Sequence, residues 1–149
     1  MSRKSPWMWI PTLYFAEGLP YFIVNVISVT MFKRLGMSNA DLALYTSLLY
    51  LPWTIKPLWS PFVDIIRSKR WWILLMQVIM AASIFALALV LPHPSAEQIA
   101  GGGIGVSPFI LTLIIFYITA FASATHDIAA DGYYMLELDK HRQSLFVGV

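Results

Sequence analysis

The chain has 149 residues, of which 58% are apolar and 12% charged, and its formal net charge is +2. Soluble proteins carry about 45 to 50% apolar and about 25% charged residues, so the composition excludes a water-soluble domain and indicates an integral membrane protein. The basic residues are few and scattered, which excludes a nucleic-acid-binding face, and the absence of cysteine excludes disulfides and thiolate metal sites.

Four apolar segments are long enough to cross a bilayer, because about 20 helical residues span about 30 Å of hydrocarbon. The predicted spans cover residues 9–32, 42–59, 71–91 and 108–133. They predict an all-α membrane protein in which residues 1–149 form one bundle. A further apolar run, residues 144–149, predicts the start of a fifth helix. We therefore expect a truncated N-terminal part of a longer transporter.

The first predicted span carries a polar stripe that falls within an arc of about 80° at 100° per residue. Its members are Tyr14, Glu17, Tyr21, Asn25 and Ser28. Two interpretations stay open. The stripe either forms hydrogen bonds with neighbouring helices or lines a substrate path, which a carboxyl group at membrane depth favours. Pro20, after Gly18, is expected to weaken this helix locally, as in the broken helices of transporters.

Lys56 lies between two prolines near the end of the second predicted span. Its side chain can extend to the lipid headgroups or pair with an acidic residue. Alternatively, it offers a positive charge to an anionic group of a substrate. Both interpretations place the ammonium group at the edge of the apolar region.

The distribution of Lys and Arg predicts the orientation of the spans. One side of the alternating loops holds seven basic residues, which are Arg3, Lys4, Arg67, Lys69, Arg70, Lys140 and Arg142. The other side holds only Lys33 and Arg34. The first side, with the N-terminus, is therefore predicted to be cytoplasmic. Residues 92–107 have no Lys or Arg and are rich in glycine, which predicts an outer loop.

Two carboxyl groups lie one turn apart on the fourth predicted span. Asp127 and Asp131 share a helical face, whereas His126 points about 100° away. Their charges repel each other, so one is expected to hold a proton or to find a cation. They are either a structural pair, capped by Lys56, Lys140 or Arg142, or part of a proton route. Too few ligands are present for a hard cation, so we expect no metal or cofactor.

Three segments, in this order, resemble the muropeptide permeases (AmpG-type) of the major facilitator superfamily. They read LYFAEGLPY (13–21), PWTIKPLWSPFVD (52–64) and SATHDIAADGY (123–133). The resemblance implies the first four helices and the start of the fifth of a twelve-helix fold, with the remaining half as a partner. It also implies a protein of the bacterial inner membrane that imports small muropeptides with protons for peptidoglycan recycling and is not an enzyme.

The resemblance also assigns expected roles to individual residues. It makes Glu17, Lys56, Asp127 and Asp131 candidates for proton coupling or for the substrate pathway, to which the stripe adds Tyr21 and Asn25. In that superfamily, the loop between helices 2 and 3 holds an Asp that pairs with basic residues and latches the inward gate. The corresponding gating residues are Asp64, Arg67 and Arg70, with Lys69 between the two arginines, and the exact pairing of Asp64 stays open. Ser60 replaces the usual glycine of this loop, and the second glycine is missing.

Three other classes of protein remain as alternatives. An intramembrane prenyltransferase-like enzyme would use Asp127 and Asp131 to hold magnesium and a diphosphate, but the second acidic motif of such enzymes is missing. An acetyl-coenzyme A carrier belongs to the same group as the permeases. A membrane-anchored subunit would have no cargo. Magnesium-dependent turnover would indicate the enzyme, and cargo-dependent proton flux would indicate the transporter.

Overall fold

The computed structural model describes residues 5–91 and 106–146, and the regular secondary structure of these ranges is helical throughout. In chain order the elements are α1 (Pro6–Phe22), a π-helical segment (Ile23–Ile27), α2 (Ser28–Arg34), α3 (Asn39–Thr54), a 3-10 turn (Lys56–Leu58), α4 (Ser60–Ile66), α5 (Lys69–Val90), α6 (Val106–Glu137) and α7 (Lys140–Phe146). The predicted all-α class is confirmed. Arg3, Lys4, most of the expected outer loop 92–107 and the end of the run 144–149 lie outside the described residues.

Three helices among the described residues are long and apolar enough to cross a membrane. They are Pro6–Arg34, Lys69–Val90 and Pro108–Glu137. They coincide with the predicted first, third and fourth spans, and the first and last are several residues longer than predicted. The chain is therefore a multi-pass membrane protein. The outward face of α5 supports this, because Leu74, Val78, Phe85 and Leu89 are all exposed, as expected of a surface that contacts lipid.

The second predicted span, residues 42–59, is not one continuous helix. α3 ends at Thr54 after 16 residues, which is about 24 Å of helix and less than the thickness of the hydrocarbon. Pro57 explains the break, because it lacks an N–H group and its ring would clash with the carbonyl group four residues earlier. The chain passes through the 3-10 turn and resumes in α4. The structure thus replaces a predicted span with a broken segment.

The first helix is continuous but changes its winding after Pro20. Pro20 is buried within α1 without ending it, and the π-helical segment begins at Ile23. Within this segment Asn25 donates from Nδ2 to the carbonyl oxygen of Tyr21 at 3.0 Å. Ser28, which is fully buried, donates to the carbonyl oxygen of Val24. These two members of the polar stripe are therefore occupied by the backbone of their own helix.

α6 is the central helix of the bundle. It packs most extensively against α5 and also contacts α1, α3 and α4. Small residues make this possible, because a helix lined with alanine allows its neighbours to approach closely. The fully buried alanines are Ala120, Ala124, Ala129 and Ala130. The central position of α6 brings Asp127 into contact with residues from the first half of the chain.

Candidate functional site: a polar groove beside α6

A groove of about 490 Å³ lies between α1, the end of α3 and α6. Its lining residues are Tyr14, Glu17, Gly18, Tyr21, Tyr50, Trp53, Lys56 and Asp127. We call this site the polar groove. It unites Glu17, Tyr21, Lys56 and Asp127, four of the six residues predicted for the pathway. Asn25 and Asp131 are not among its lining residues.

An ion pair closes one side of the polar groove. Nζ of Lys56 lies 2.7 Å from Oδ2 of Asp127, and the side chains are 29% and 8% exposed. Lys56 reaches this position because α3 ends two residues before it and the 3-10 turn directs the chain towards α6. Of the two structural roles that the sequence left open for Lys56, pairing with an acidic residue is the one observed. A charge-assisted hydrogen bond of this length is among the stronger polar contacts in proteins.

Three buried polar atoms around this ion pair have no hydrogen-bond partner among the described residues. They are Oδ1 of Asp127, Oε2 of Glu17 and Nε1 of Trp53. The indole group of Trp53 lies near the Asp127 carboxylate, but the two groups do not form a hydrogen bond. A buried acceptor without a partner carries a desolvation cost. The polar groove therefore presents two carboxyl groups with free acceptor capacity.

Asp131 occupies a different environment from Asp127, although the two lie on the same face of α6. Asp131 is exposed, whereas Asp127 is buried. The hydroxyl group of Tyr14 approaches Asp131 from α1. Asp131 is nevertheless close enough to interact electrostatically with Glu17, as Asp127 and Lys56 also are. The helical spacing predicted the shared face correctly, but the burial of each residue depends on the neighbouring helices.

Three aromatic side chains form one wall of the polar groove. The ring centroids of Tyr21 and Trp53 are 5.1 Å apart, those of Tyr21 and Tyr50 are 6.4 Å apart, and those of Tyr50 and Trp53 are 6.2 Å apart. We call these three residues the aromatic wall. The sequence indicated only Tyr21. The spacing of Tyr50 and Trp53, three residues apart and hence on one helical face, was the available signal.

The predicted gating residues lie at the end of the bundle where α4, α5 and α6 meet. Asp64 pairs with Lys69, not with Arg67 or Arg70. Arg70 reaches α6, where its guanidinium donates to the hydroxyl group of Tyr133 at 2.7 Å and pairs with Glu137 at 3.2 Å. Of the three basic residues that follow Asp64 in this loop, Lys69 is therefore the one that pairs with it, whereas Arg70 pairs with α6.

Arg67 lies apart from these ion pairs, with its guanidinium 5.8 Å from the centroid of the Trp71 ring. Lys69 passes over Gly132 of α6. A Cβ atom at Gly132 would lie 2.6 Å from Cε of Lys69. The absence of a side chain at residue 132 thus makes room for the lysine that holds Asp64, and this contact connects α4, α5 and α6.

His126 lies outside the polar groove, as its predicted direction implied. It is fully buried, and its Nε2 is 3.3 Å from Nε2 of Gln77 on α5. Among the residues that the structure describes, no group of three or more His, Cys, Asp or Glu is placed to hold a metal ion. Asp127 has an ammonium group as its partner, so the site geometry gives no support to the magnesium-dependent alternative.

Residues 16–145 match the BT1 family, and the match covers most of the chain. An uncharacterized protein of Schizosaccharomyces pombe, C21B10.09, is 29% identical over 138 residues, which cover 89% of this chain and 25% of that protein. An uncharacterized protein of Haemophilus influenzae is 27% identical over 136 residues, covering 88% of this chain and 29% of that protein. No solved structure matches the chain significantly.

The family match corrects the resemblance described above. The BT1 family is not the AmpG-type permease family, so the expected identification is wrong. The expected muropeptide cargo depended on that identification and is not supported. The relatives occur in a yeast and a bacterium, so they do not restrict such proteins to a bacterial inner membrane. The chain spans between a quarter and three-tenths of the length of these relatives. The chain is thus a multi-pass membrane protein that belongs to the BT1 family.

Proposed function

We propose that the polar groove is part of the pathway by which a secondary transporter moves a small polar molecule across a membrane. The observation that carries this proposal is the Lys56–Asp127 ion pair, which lies against an open groove inside an apolar bundle. Charged groups at membrane depth are costly and commonly mark substrate or ion routes. The family match supports a transport function, and we propose transport in preference to catalysis.

The accessibility of the ion pair supports a role in a pathway over a purely structural role. A purely structural ion pair is best enclosed, because water weakens the attraction between the charges. Here Lys56 keeps 29% of its side-chain exposure, and Oδ1 of Asp127 has no partner among the described residues. A ligand that enters the polar groove therefore meets charges that are already held in place.

The remaining walls of the pathway are assigned to helices outside this chain. The relatives are about four times as long as the matched segment, and the polar groove is open beside Gly18, where an added Cβ would meet nothing within 4 Å. A twelve-helix arrangement, with the N-terminal end of the bundle in the cytoplasm, is the form that we propose for the complete protein. The ion pairs of Asp64 and Arg70 would then lie on the cytoplasmic side.

Proton coupling forms part of the same proposal. Glu17 and Asp127 line the polar groove, and both have a buried oxygen atom without a partner in the described part of the chain. A carboxyl group in this position can exchange a proton for contact with a cation during the transport cycle. Asp131 lies outside the polar groove, so we assign it a weaker electrostatic role.

The test is uptake by the complete protein reconstituted in lipid vesicles. A mixture of small metabolites is supplied outside, and the accumulated compounds are measured by mass spectrometry. We expect saturable uptake that is lost in Lys56→Ala, and in Asp127→Asn we expect loss of accumulation above the outside concentration. Arg142→Ala serves as the control, because Arg142 lies in an exposed ion pair with Asp139 at 3.8 Å. Absence of uptake of every compound, or uptake that is unchanged in both groove variants, would reject the proposal.

A further inference from the structure

We propose that the polar groove binds a cationic group of the cargo, an organic ammonium, between its carboxyl groups and its aromatic wall. This inference rests on the proposed transport function and names the class of group that the site would recognise. Three features carry it: the balance of charge in the polar groove, the free acceptor atoms and the arrangement of the aromatic rings.

Acidic residues outnumber basic residues around the polar groove. Glu17 and Asp127 contribute two carboxyl groups, and Lys56 contributes the only ammonium group among the lining residues. Asp131 adds another carboxyl group near Glu17. Lys56 is held by Asp127, so Glu17 has no cation of its own in the described part of the chain. A cationic group of a ligand would give the Glu17 carboxyl group a partner.

The free acceptor atoms also favour a cationic ligand. Oε2 of Glu17 and Oδ1 of Asp127 are both buried and lack hydrogen-bond partners within residues 5–91 and 106–146. The side chain of Asp127 is more than nine-tenths buried. A buried acceptor atom without a partner is stabilised by a hydrogen-bond donor, and an ammonium group supplies both the donor and a positive charge.

The aromatic wall suits a cation better than an anion. Tyr21, Tyr50 and Trp53 pack together beside Glu17, with ring centroids 5.1 to 6.4 Å apart. The faces of aromatic rings carry negative electrostatic potential and attract ammonium groups, most strongly where water is excluded. An anionic cargo group would have to displace Asp127 from Lys56 and approach the same rings. The arrangement therefore favours the cation.

A proton is the competing occupant, because it would neutralise Glu17 without using the aromatic wall. Binding of choline distinguishes the two, since its neutral isostere 3,3-dimethyl-1-butanol has the same shape without the charge. Ethanolamine serves as a second cation that can donate hydrogen bonds. The probes are measured on the complete protein in lipid nanodiscs by displacement of tritiated choline, or of tritiated ethanolamine where choline itself does not bind.

We expect at least one of the two cations to bind about tenfold or more tightly than the neutral isostere. Glu17→Gln and Trp53→Leu should each remove most of this preference, whereas Trp53→Phe should retain part of it. Asp139→Asn and Trp7→Phe are matched controls, because both residues are exposed and lie outside the polar groove and the predicted gating contacts.

Three results would overturn the inference: no binding of either cation, equal binding of the isostere, or binding that Glu17→Gln leaves unchanged. Accumulation of cargo that depends on a pH gradient and on Glu17, without binding of either amine, would identify a proton as the only occupant. These failures remain distinct from failure of the transport proposal. Uptake of neutral or anionic compounds that still depends on Lys56 would leave transport standing and remove only the cationic cargo.

Discussion

Nζ of Lys56 lies 2.7 Å from Oδ2 of Asp127, although the two residues are 71 positions apart in the chain. The contact joins the break after α3 to the central helix. It therefore connects the break between α3 and α4 to α6, which is the most buried of the three long apolar helices among the described residues. We expect both the stability of the bundle and the chemistry of the polar groove to depend on this pair.

The first prediction concerns the stability of this pair. Removing the ammonium group with Lys56→Ala leaves a buried carboxylate without compensation, which typically costs about 3 to 5 kcal/mol. Thermal unfolding in detergent should show a marked loss. The double variant Lys56→Met with Asp127→Leu should recover most of it, because no unpaired charge remains. Arg142→Ala, which disrupts an exposed pair, should change the stability by less than about 1 kcal/mol. Equal losses of stability in Lys56→Ala and Arg142→Ala would contradict a special role for Lys56.

The sequence predicted the long helices of this chain better than their interruptions. Runs of about 20 apolar residues identify spans directly, and α5 and α6 lie close to their predicted limits. The predicted span 42–59 contains two prolines, but it was predicted as one continuous span, and the pattern did not show that α3 ends at Thr54. The π-helical segment at Ile23 had no signal, because it depends on how the helix packs against its neighbours.

The sequence predicted most of the charged residues of the candidate site but only partly which of them form ion pairs. Charged residues inside apolar segments are conspicuous, so Glu17, Lys56 and Asp127 could be identified directly. The partner of Asp127 had three candidates in the sequence, and only the folded chain selects Lys56. Tyr50 and Trp53 were missed because aromatic residues near the ends of spans are also typical of the membrane interface.

The second prediction uses the open space beside Gly18. An added Cβ atom at this residue meets nothing within 4 Å, so Gly18→Leu should fill part of the polar groove without disturbing the bundle. We expect unfolding within about 1 kcal/mol of the parent, since helix propensity alone favours leucine over glycine by roughly this amount. Uptake by the complete protein should fall strongly. Full uptake by a well-folded Gly18→Leu variant would show that cargo passes elsewhere.

The third prediction concerns Gly132. A methyl group there would lie 2.6 Å from Cε of Lys69, so Gly132→Ala should displace the lysine from Asp64. Because the end of a lysine side chain is flexible, we expect a loss of only about 1 kcal/mol. In a Lys69→Ala background the same substitution should cost almost nothing. An equal loss in both backgrounds, measured by thermal unfolding, would show that contacts other than Lys69 restrict this position.

The fourth prediction tests the accessibility of the polar groove. These 149 residues contain no cysteine, so a cysteine introduced here is the only thiol of this segment. Tyr50→Cys should react with a charged, water-soluble thiol reagent, because Tyr50 lines the polar groove. Leu74→Cys should react slowly, because Leu74 lies on the outward apolar face of α5. Prior addition of transported cargo should protect residue 50. Rapid reaction at residue 74 with none at residue 50 would reverse the assignment of these faces.

The fifth prediction compares three carboxyl groups, those of Glu17 and Asp127, which line the polar groove, and that of Asp131, which lies outside it. Asn and Gln keep the shape of the acidic side chains but cannot release a proton, so they test coupling with little change in packing. We expect Asp127→Asn and Glu17→Gln to abolish cargo accumulation driven by a pH gradient while exchange of cargo down its own gradient continues. Asp131→Asn should retain most of the accumulation, because Asp131 is exposed and lies outside the polar groove. Vesicles containing the complete protein, with a pH indicator inside, allow both activities to be measured on one preparation. If all three variants accumulate cargo with the pH dependence of the parent, these carboxyl groups are structural and the proton is carried by a residue in another part of the transporter.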